Sequence, residues 1–220
     1  MLSNDVTAGE VVPALLLTPK SRLIAPLRVW RRGPQDFLLL TEPGLGEIVR
    51  TALLRSRFAA KCEIELEEHA SVVVFGEADG LPGELPGTVE VLDPEVPGTV
   101  SVEELERARI EAGVPAWGKE LDDAILPAEA GLDETHISFT KGCYPGQEPI
   151  ARLHNRGHVN KRLRVLDAES AQPGDEIRAD GKSVGRVTSA VPGRALGYVR
   201  VEVPTGAPVE IGGIGARLLQ

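Results

Sequence analysis

Only two cysteines occur in the 220 residues, Cys62 and Cys143, and they stand far apart without a Cys-x-x-Cys pair. That scarcity excludes a disulfide framework and a self-contained zinc or cluster site, so any cluster would take ligands from elsewhere. Long apolar runs are missing too: nothing approaches the roughly 18 uncharged residues that span a bilayer. Met1 to Asp5 lacks the basic stretch and following apolar run of a secretory signal. Together these absences predict a protein of the cytoplasm. Positive charge is in short supply, with 24 Lys and Arg against 33 Asp and Glu and a formal net charge of −9. Phosphate affinity comes from clustered Lys and Arg, so this balance disfavours non-specific nucleic-acid binding. No internal repeat is evident.

What is present is a chain with 42% hydrophobic residues, long enough to bury a good core in one or two domains. Val11 to Leu17 and Leu23 to Arg31 read as a hairpin around Thr18-Pro19-Lys20-Ser21-Arg22, and Asp36 to Thr41 as a third strand. Leu45, Ile48, Val49, Ala52 and Leu53 keep helical spacing. Cys62, Ile64 and Leu66 alternate with charges, which predicts a half-buried strand over Lys61 to Glu67 with Cys62 structural and inward. Ser71 to Phe75 reads as another strand. Gly76 to Gly98, rich in Gly and Pro, is expected to be an irregular connection despite the apolar piece Val89 to Leu92. Ser101 and Glu104 form a capping box that opens a helix through Val102, Leu105 and Ala108, and Gly113 and Pro115 stop it. Trp117 to Phe139 predicts short helical turns and loops.

Beyond Asn160 the pattern changes to short strands at Arg162 to Leu166, Asp175 to Arg178, Ser183 to Ala190, Ala195 to Val203, Val209-Glu210 and Ala216 to Leu219. Gly-containing turns separate them, as in a small closed barrel. The fold class is therefore α+β, an antiparallel-sheet region with helices over 1–159 followed by a C-terminal β-barrel over 160–220.

The chemistry concentrates in Lys141-Gly142-Cys143-Tyr144-Pro145-Gly146-Gln147-Glu148, continued by Pro149-Ile150-Ala151-Arg152. Two glycines and a proline in six residues specify tight turns around a thiol. A free thiol titrates near ~8.5, and a cation such as Lys141 or a helix N-terminus after Gly146 lowers that value. The alternative is a buried structural cysteine in an ordinary turn.

This octapeptide resembles the signature of the YgfZ family of folate-binding proteins, which serve iron–sulfur cluster assembly and are related to the glycine cleavage T-protein, an aminomethyltransferase. Arg109 to Pro115, Gly118-x-Glu120-Leu121 and Pro127 to Gly131 follow the family pattern in order and spacing, so the likeness covers most of the chain. It implies a C-terminal barrel against a larger folate-binding part. It also implies tetrahydrofolate or a derivative as ligand and iron–sulfur client or assembly proteins as partners. By the same likeness Cys143 and Lys141 are the catalytic candidates. Arg109, Glu111, Glu129, Tyr144, Gln147, Glu148 and Arg152 are the folate-site candidates, with Arg109 forking a carboxylate and Glu129 accepting from a pterin.

The same residues have plainer readings. Arg109 and Glu111 could be an exposed helix pair, Glu129 a helix N-terminal charge, and Tyr144 or Trp117 core aromatics. The acid-free run from Pro149 to Leu166, carrying Arg152, Arg156, Lys161, Arg162 and Arg164, could be a solvated face or a basic lip for an anionic folate tail. His154 and His158 are four apart, but Gly157 weakens the helix that would align them, so no metal site is expected.

Two departures from the family pattern stand out. Leu2 to Val6 resembles a point well inside the family's first module, so either the start is misassigned or the first module is incomplete; a missing strand would expose a sheet edge, which natural proteins avoid. Where T-proteins carry an acidic residue for methylene transfer, this chain has Leu23 to Val29. Neither Ala25 nor Pro26 can act as general acid or base. The expected function is a folate-binding factor for iron–sulfur protein assembly or repair, with a folate-dependent one-carbon transferase as the enzyme alternative and an RNA-binding module as the remote one.

Overall fold

Leu23, Ala25, Leu27 and Val29 are buried while their neighbours are half-buried, the two-residue period of a strand with one face on a core. The computed structural model, which describes every residue except 7, 8, 58, 59, 96 and 220, builds the first sheet around them. Strands β1 (Val11–Leu17), β2 (Leu23–Arg31) and β3 (Phe37–Leu40) form an antiparallel sheet with β2 in the middle. Helix α1 (Gly46–Ser56) follows; Leu45 and Val49 are buried, whereas Ile48 is exposed.

The outer edge of β1 is covered at Leu15. The Ser3 backbone N–H donates to Leu15 O at 3.1 Å, and Ser3 Oγ accepts from the Leu15 N–H at 2.7 Å. Ser3 Oγ in turn donates to His136 O at 2.6 Å, and Ser3 O accepts from the Ser138 N–H at 2.9 Å.

Lys61 to Glu67 is not a strand. Among the described residues it pairs with no strand; arginine side chains hold it instead. Arg57 Nη1 donates to Cys62 O at 3.0 Å, Arg50 Nε to Ile64 O at 3.1 Å, and Arg32 forks the Glu67 carboxylate at 2.9 Å. Cys62 is consequently exposed, not inward as its alternation predicted.

Strands β4 (Ser71–Phe75), β5 (Leu81–Pro82) and β6 (Thr88–Leu92) form a second antiparallel sheet in the order β4-β6-β5. The expected irregular connection over 76–98, of which residue 96 lies outside the described residues, thus contains two strands. Helix α2 (Val102–Ala112) starts on the predicted capping box, with the Glu104 N–H donating to Ser101 Oγ and the Ser101 N–H to Glu104. It ends at Gly113 in the left-handed region. A single 3₁₀ turn spans Pro127–Glu129, and α3 (Gln147–Arg156) opens directly after the cysteine loop.

Six strands then close a barrel: β7 (Lys161–Ala168), β8 (Glu176–Ala179), β9 (Lys182–Val191), β10 (Gly193–Arg200), β11 (Pro208–Ile211) and β12 (Ile214–Leu218), in the order β10-β7-β12-β11-β8-β9. Leu166, Ala168, Ile177, Val187 and Val199 fill its interior. On the outside, Ile110 of α2 packs on Val165 and Leu196. The architecture is the expected α+β arrangement with a C-terminal barrel.

The chain forms two compact units, each from two stretches of sequence. Residues Met1–Glu68 and Asp122–His158 make one; His69–Leu121 and Val159–Gln220 make the other.

In the first unit His136 is largely buried, and burial lowers its imidazolium pKa from 6.5 to about 4. The folded state therefore keeps this ring neutral where the unfolded chain would protonate it. Its contribution is complete above pH 6.5 and is lost as pH falls towards 4, with a slope of up to about 1.4 kcal/mol per pH unit for one proton. Urea unfolding between pH 4.5 and 7.5 should show this slope in the parent protein and a flatter one in His136→Gln.

Candidate functional site

The cysteine loop is held by the turn of the first hairpin. Ser21, at φ 61, is buried in that turn and its hydroxyl donates to Gly146 O at 2.7 Å. Gly146 lies in the left-handed region at φ 81, and a Cβ there would meet Thr18 O at 2.6 Å and the Ser21 backbone at 3.0 Å. Both its conformation and this close approach require glycine. Gln147, Glu148 and Arg152 follow on α3, where Glu148 and Arg152 make an exposed pair at 3.4 Å that adds little stability. The ring of His154 stacks on Phe139 with centroids 3.9 Å apart.

Within the loop, exposure is divided sharply. Tyr144 is buried, its hydroxyl has no hydrogen-bond partner among the described residues, and burial pushes the phenol pKa up. Gly142 and Cys143 are exposed. Lys141, with its side chain only 14% exposed, sends its ammonium to Leu2 O at 2.8 Å and Asn4 O at 2.9 Å, with Asp5 at 4.0 Å and the Tyr144 ring centroid at 6.0 Å. Glu129 Oε2 accepts from the Leu126 N–H at 3.1 Å, closing its 3₁₀ turn. These candidates all belong to the first unit.

Arg109 and Glu111 belong to the second unit. Glu111 makes a half-exposed pair with Arg107 at 3.7 Å. Arg109 spends all five of its N–H donors internally. Nε and Nη2 fork Glu106 at 2.9 and 2.7 Å; Nη1 reaches Val114 O at 2.7 Å and Glu120 at 2.8 Å; and Nη2 also meets Ser189 Oγ at 2.8 Å. Hydrogen bonds from Arg109, and after it Lys119, hold the Glu106 carboxyl at about 2. The expected fork from Arg109 to a ligand carboxylate has no donor left in this arrangement.

The partner that sequence reasoning passed over is Glu120, whose side chain is 0% exposed. It accepts from Arg109, from the Ala116 N–H at 3.0 Å and from Ser189 Oγ at 2.6 Å, while its backbone O accepts from Tyr198 at 2.8 Å. A serine in β9 at an otherwise apolar position was the available signal. The basic run is also divided: Arg152 and Arg156 lie on α3, whereas Lys161, Arg162 and Arg164 lie on β7, with Lys161 4.7 Å from the Tyr198 ring centroid.

Arg109→Ala should destabilise the protein by about 3–5 kcal/mol, because it leaves Glu120 as a buried charge without its cation. Denaturant unfolding checks this, and Glu120→Gln in the same background should recover part of the loss.

Comparison with known proteins agrees with this architecture. Residues 160–219 match the model of the CAF17 C-terminal beta-barrel domain. An uncharacterized protein of Haemophilus influenzae is 30% identical over 214 residues, covering 86% of this chain and 75% of that protein. The mouse mitochondrial iron-sulfur cluster assembly factor IBA57 is 36% identical over 102 residues, 45% of this chain. Against several curated relatives, that one included, the matched stretch spans only about a quarter of their length. The glycine cleavage system aminomethyltransferase T of Bartonella henselae superposes with a TM-score of 0.83 over the whole chain and 78% of its own, at 19% identity, a likeness of fold. With the octapeptide, the barrel and a relative matched over most of its length, the chain belongs to the YgfZ family, related to the glycine cleavage T-protein.

Proposed function

We propose that the protein binds a reduced folate and serves the assembly or repair of iron–sulfur proteins, with Cys143 as the working thiol. The observation that carries this reading is the exposure of Cys143 on a loop whose neighbours are fixed. A structural cysteine is buried and inert, whereas this one faces outward between a buried tyrosine and a pinned lysine. The name of the mouse relative points to the same process. A free thiol stays reduced in the cytoplasm, and that is the compartment we assign.

The donor set of the first unit fits a folate in part. The buried Tyr144 hydroxyl lacks a partner among the described residues, and Glu129, Gln147, Glu148 and Arg152 offer acceptors, donors and charge nearby in sequence. Tetrahydrofolate, when bound, supplies a carrier for one-carbon groups and a reducing heterocycle. In this reading Tyr144 and Glu129 hold the ligand and Arg109 acts on shape alone.

A folate-dependent one-carbon transferase is the second reading, favoured by the likeness of fold to an aminomethyltransferase. Ala25 is fully buried in β2, and neither it nor Pro26 carries a titratable group for proton transfer.

Isothermal titration with tetrahydrofolate should give saturable binding that Cys143→Ala leaves unchanged. The same variant should abolish support of cluster-dependent enzymes in cells. No binding would remove the folate from the proposal, and full support by Cys143→Ala would remove the thiol. Methylene transfer to an amine acceptor in vitro would favour the transferase.

A further inference from the structure

We infer that Lys141 is a positioning residue for Cys143, tying the cysteine loop to the segment Leu2–Asn4. This rests on the reading of Cys143 as the working group. It reassigns the cation that the sequence placed beside the sulfur.

The geometry is a three-way joint inside the first unit. Segment 2–4 lies between β1 and residues 135–141. On one side Ser3 exchanges two hydrogen bonds with Leu15, and Asn4 Nδ2 donates to Pro13 O at 2.9 Å. On the other side Ser3 bonds His136 O and the Ser138 N–H, and Asn4 Nδ2 also reaches Thr135 O at 3.3 Å. Lys141 closes the joint. Its ammonium donates to the carbonyls on either side of Ser3, those of Leu2 and Asn4, while its own N–H donates to Ser138 Oγ at 3.1 Å.

Ser3 is fully buried, so its polar atoms depend on these partners rather than on water. Two of the three ammonium donors are aimed at backbone carbonyls, and Asp5 faces the same nitrogen at 4.0 Å. A side chain so committed fixes where residue 141 sits, and hence where the exposed Gly142-Cys143 pair begins. At the far end Gly146 is fixed on Ser21. The thiol therefore hangs between two anchored points.

Lys141→Met and Lys141→Arg test this, with Ser3→Ala as a variant that loosens the joint while keeping the charge. Hydrogen exchange at the Leu15 and Ser138 amides should quicken ~10-fold in Lys141→Met, the order expected for losing bonds of this class, and stay slow in Lys141→Arg. Ser3→Ala should quicken the same amides. Support of cluster-dependent enzymes should fall in Lys141→Met and Ser3→Ala and recover in Lys141→Arg. Full support in Ser3→Ala despite quickened exchange, with support lost in Lys141→Met, would overturn the inference, because loosening the joint would then not be what matters. Unchanged exchange in Lys141→Met would overturn it outright. Inactive Cys143→Ala with fully active Lys141→Met would sink the positioning role and leave the thiol's role standing.

Discussion

A carboxylate sealed from water must be answered on every side, and in the second unit that requirement falls on Glu120. Its partners come from three places in the sequence. Arg109 ends α2, Ala116 belongs to the turn that follows, and Ser189 stands in β9. Tyr198 of β10 binds the same residue's backbone. One buried charge thus specifies how the helix end, the turn and two barrel strands are arranged. It explains why Arg109 is where it is without invoking a ligand. An arginine fork that looks recruitable from sequence is here consumed by a local acid.

The first unit uses neutral groups for the same purpose. Two buried serines, Ser3 and Ser21, each link a hairpin of the sheet to the stretch that carries the cysteine. Small hydroxyls suit this work because each donates and accepts at once and leaves no charge to compensate. Gly146 completes the second link by letting two backbones approach where any side chain would collide. Within the octapeptide, Gly146 and Lys141 are thus accounted for by fit and anchoring, while Gly142 and Cys143 stand exposed.

Much of this was legible beforehand. The alternation of β2, the capping box of α2 and the turn-punctuated strands of the barrel all act through near neighbours, and near neighbours are what a sequence displays. Misreadings arose where the deciding partner was remote. Cys62, Ile64 and Leu66 alternate like a strand, yet Arg50 and Arg57 donate to two of the backbone carbonyls a ladder would have used, and Arg32 holds the Glu67 carboxylate. Gly80 and Gly83 looked like loop residues. They stand where a Cβ would come within 2.6 Å of Glu90 O and 2.1 Å of Thr88 Oγ1, so they mark close strand packing against β6. Glu120 was visible only as part of a family pattern, because nothing near it in sequence says that Ser189 will meet it.

The interleaving of the two units has a consequence for synthesis on the ribosome. The chain emerges from its N-terminus, and the first unit holds residues 1–68 but waits for 122–158 before its core can close. By then the 69–121 stretch is out as well, with Arg109 and Glu120 present and Ser189 and Tyr198 still to come. Neither unit is a finished foldable piece until most of the polypeptide has been made, so apolar strands such as β1 and β2 stay unsatisfied for much of translation. A break anywhere between residues 69 and 158 would strip both units at once, and such a product would be a client for chaperones rather than a smaller working protein.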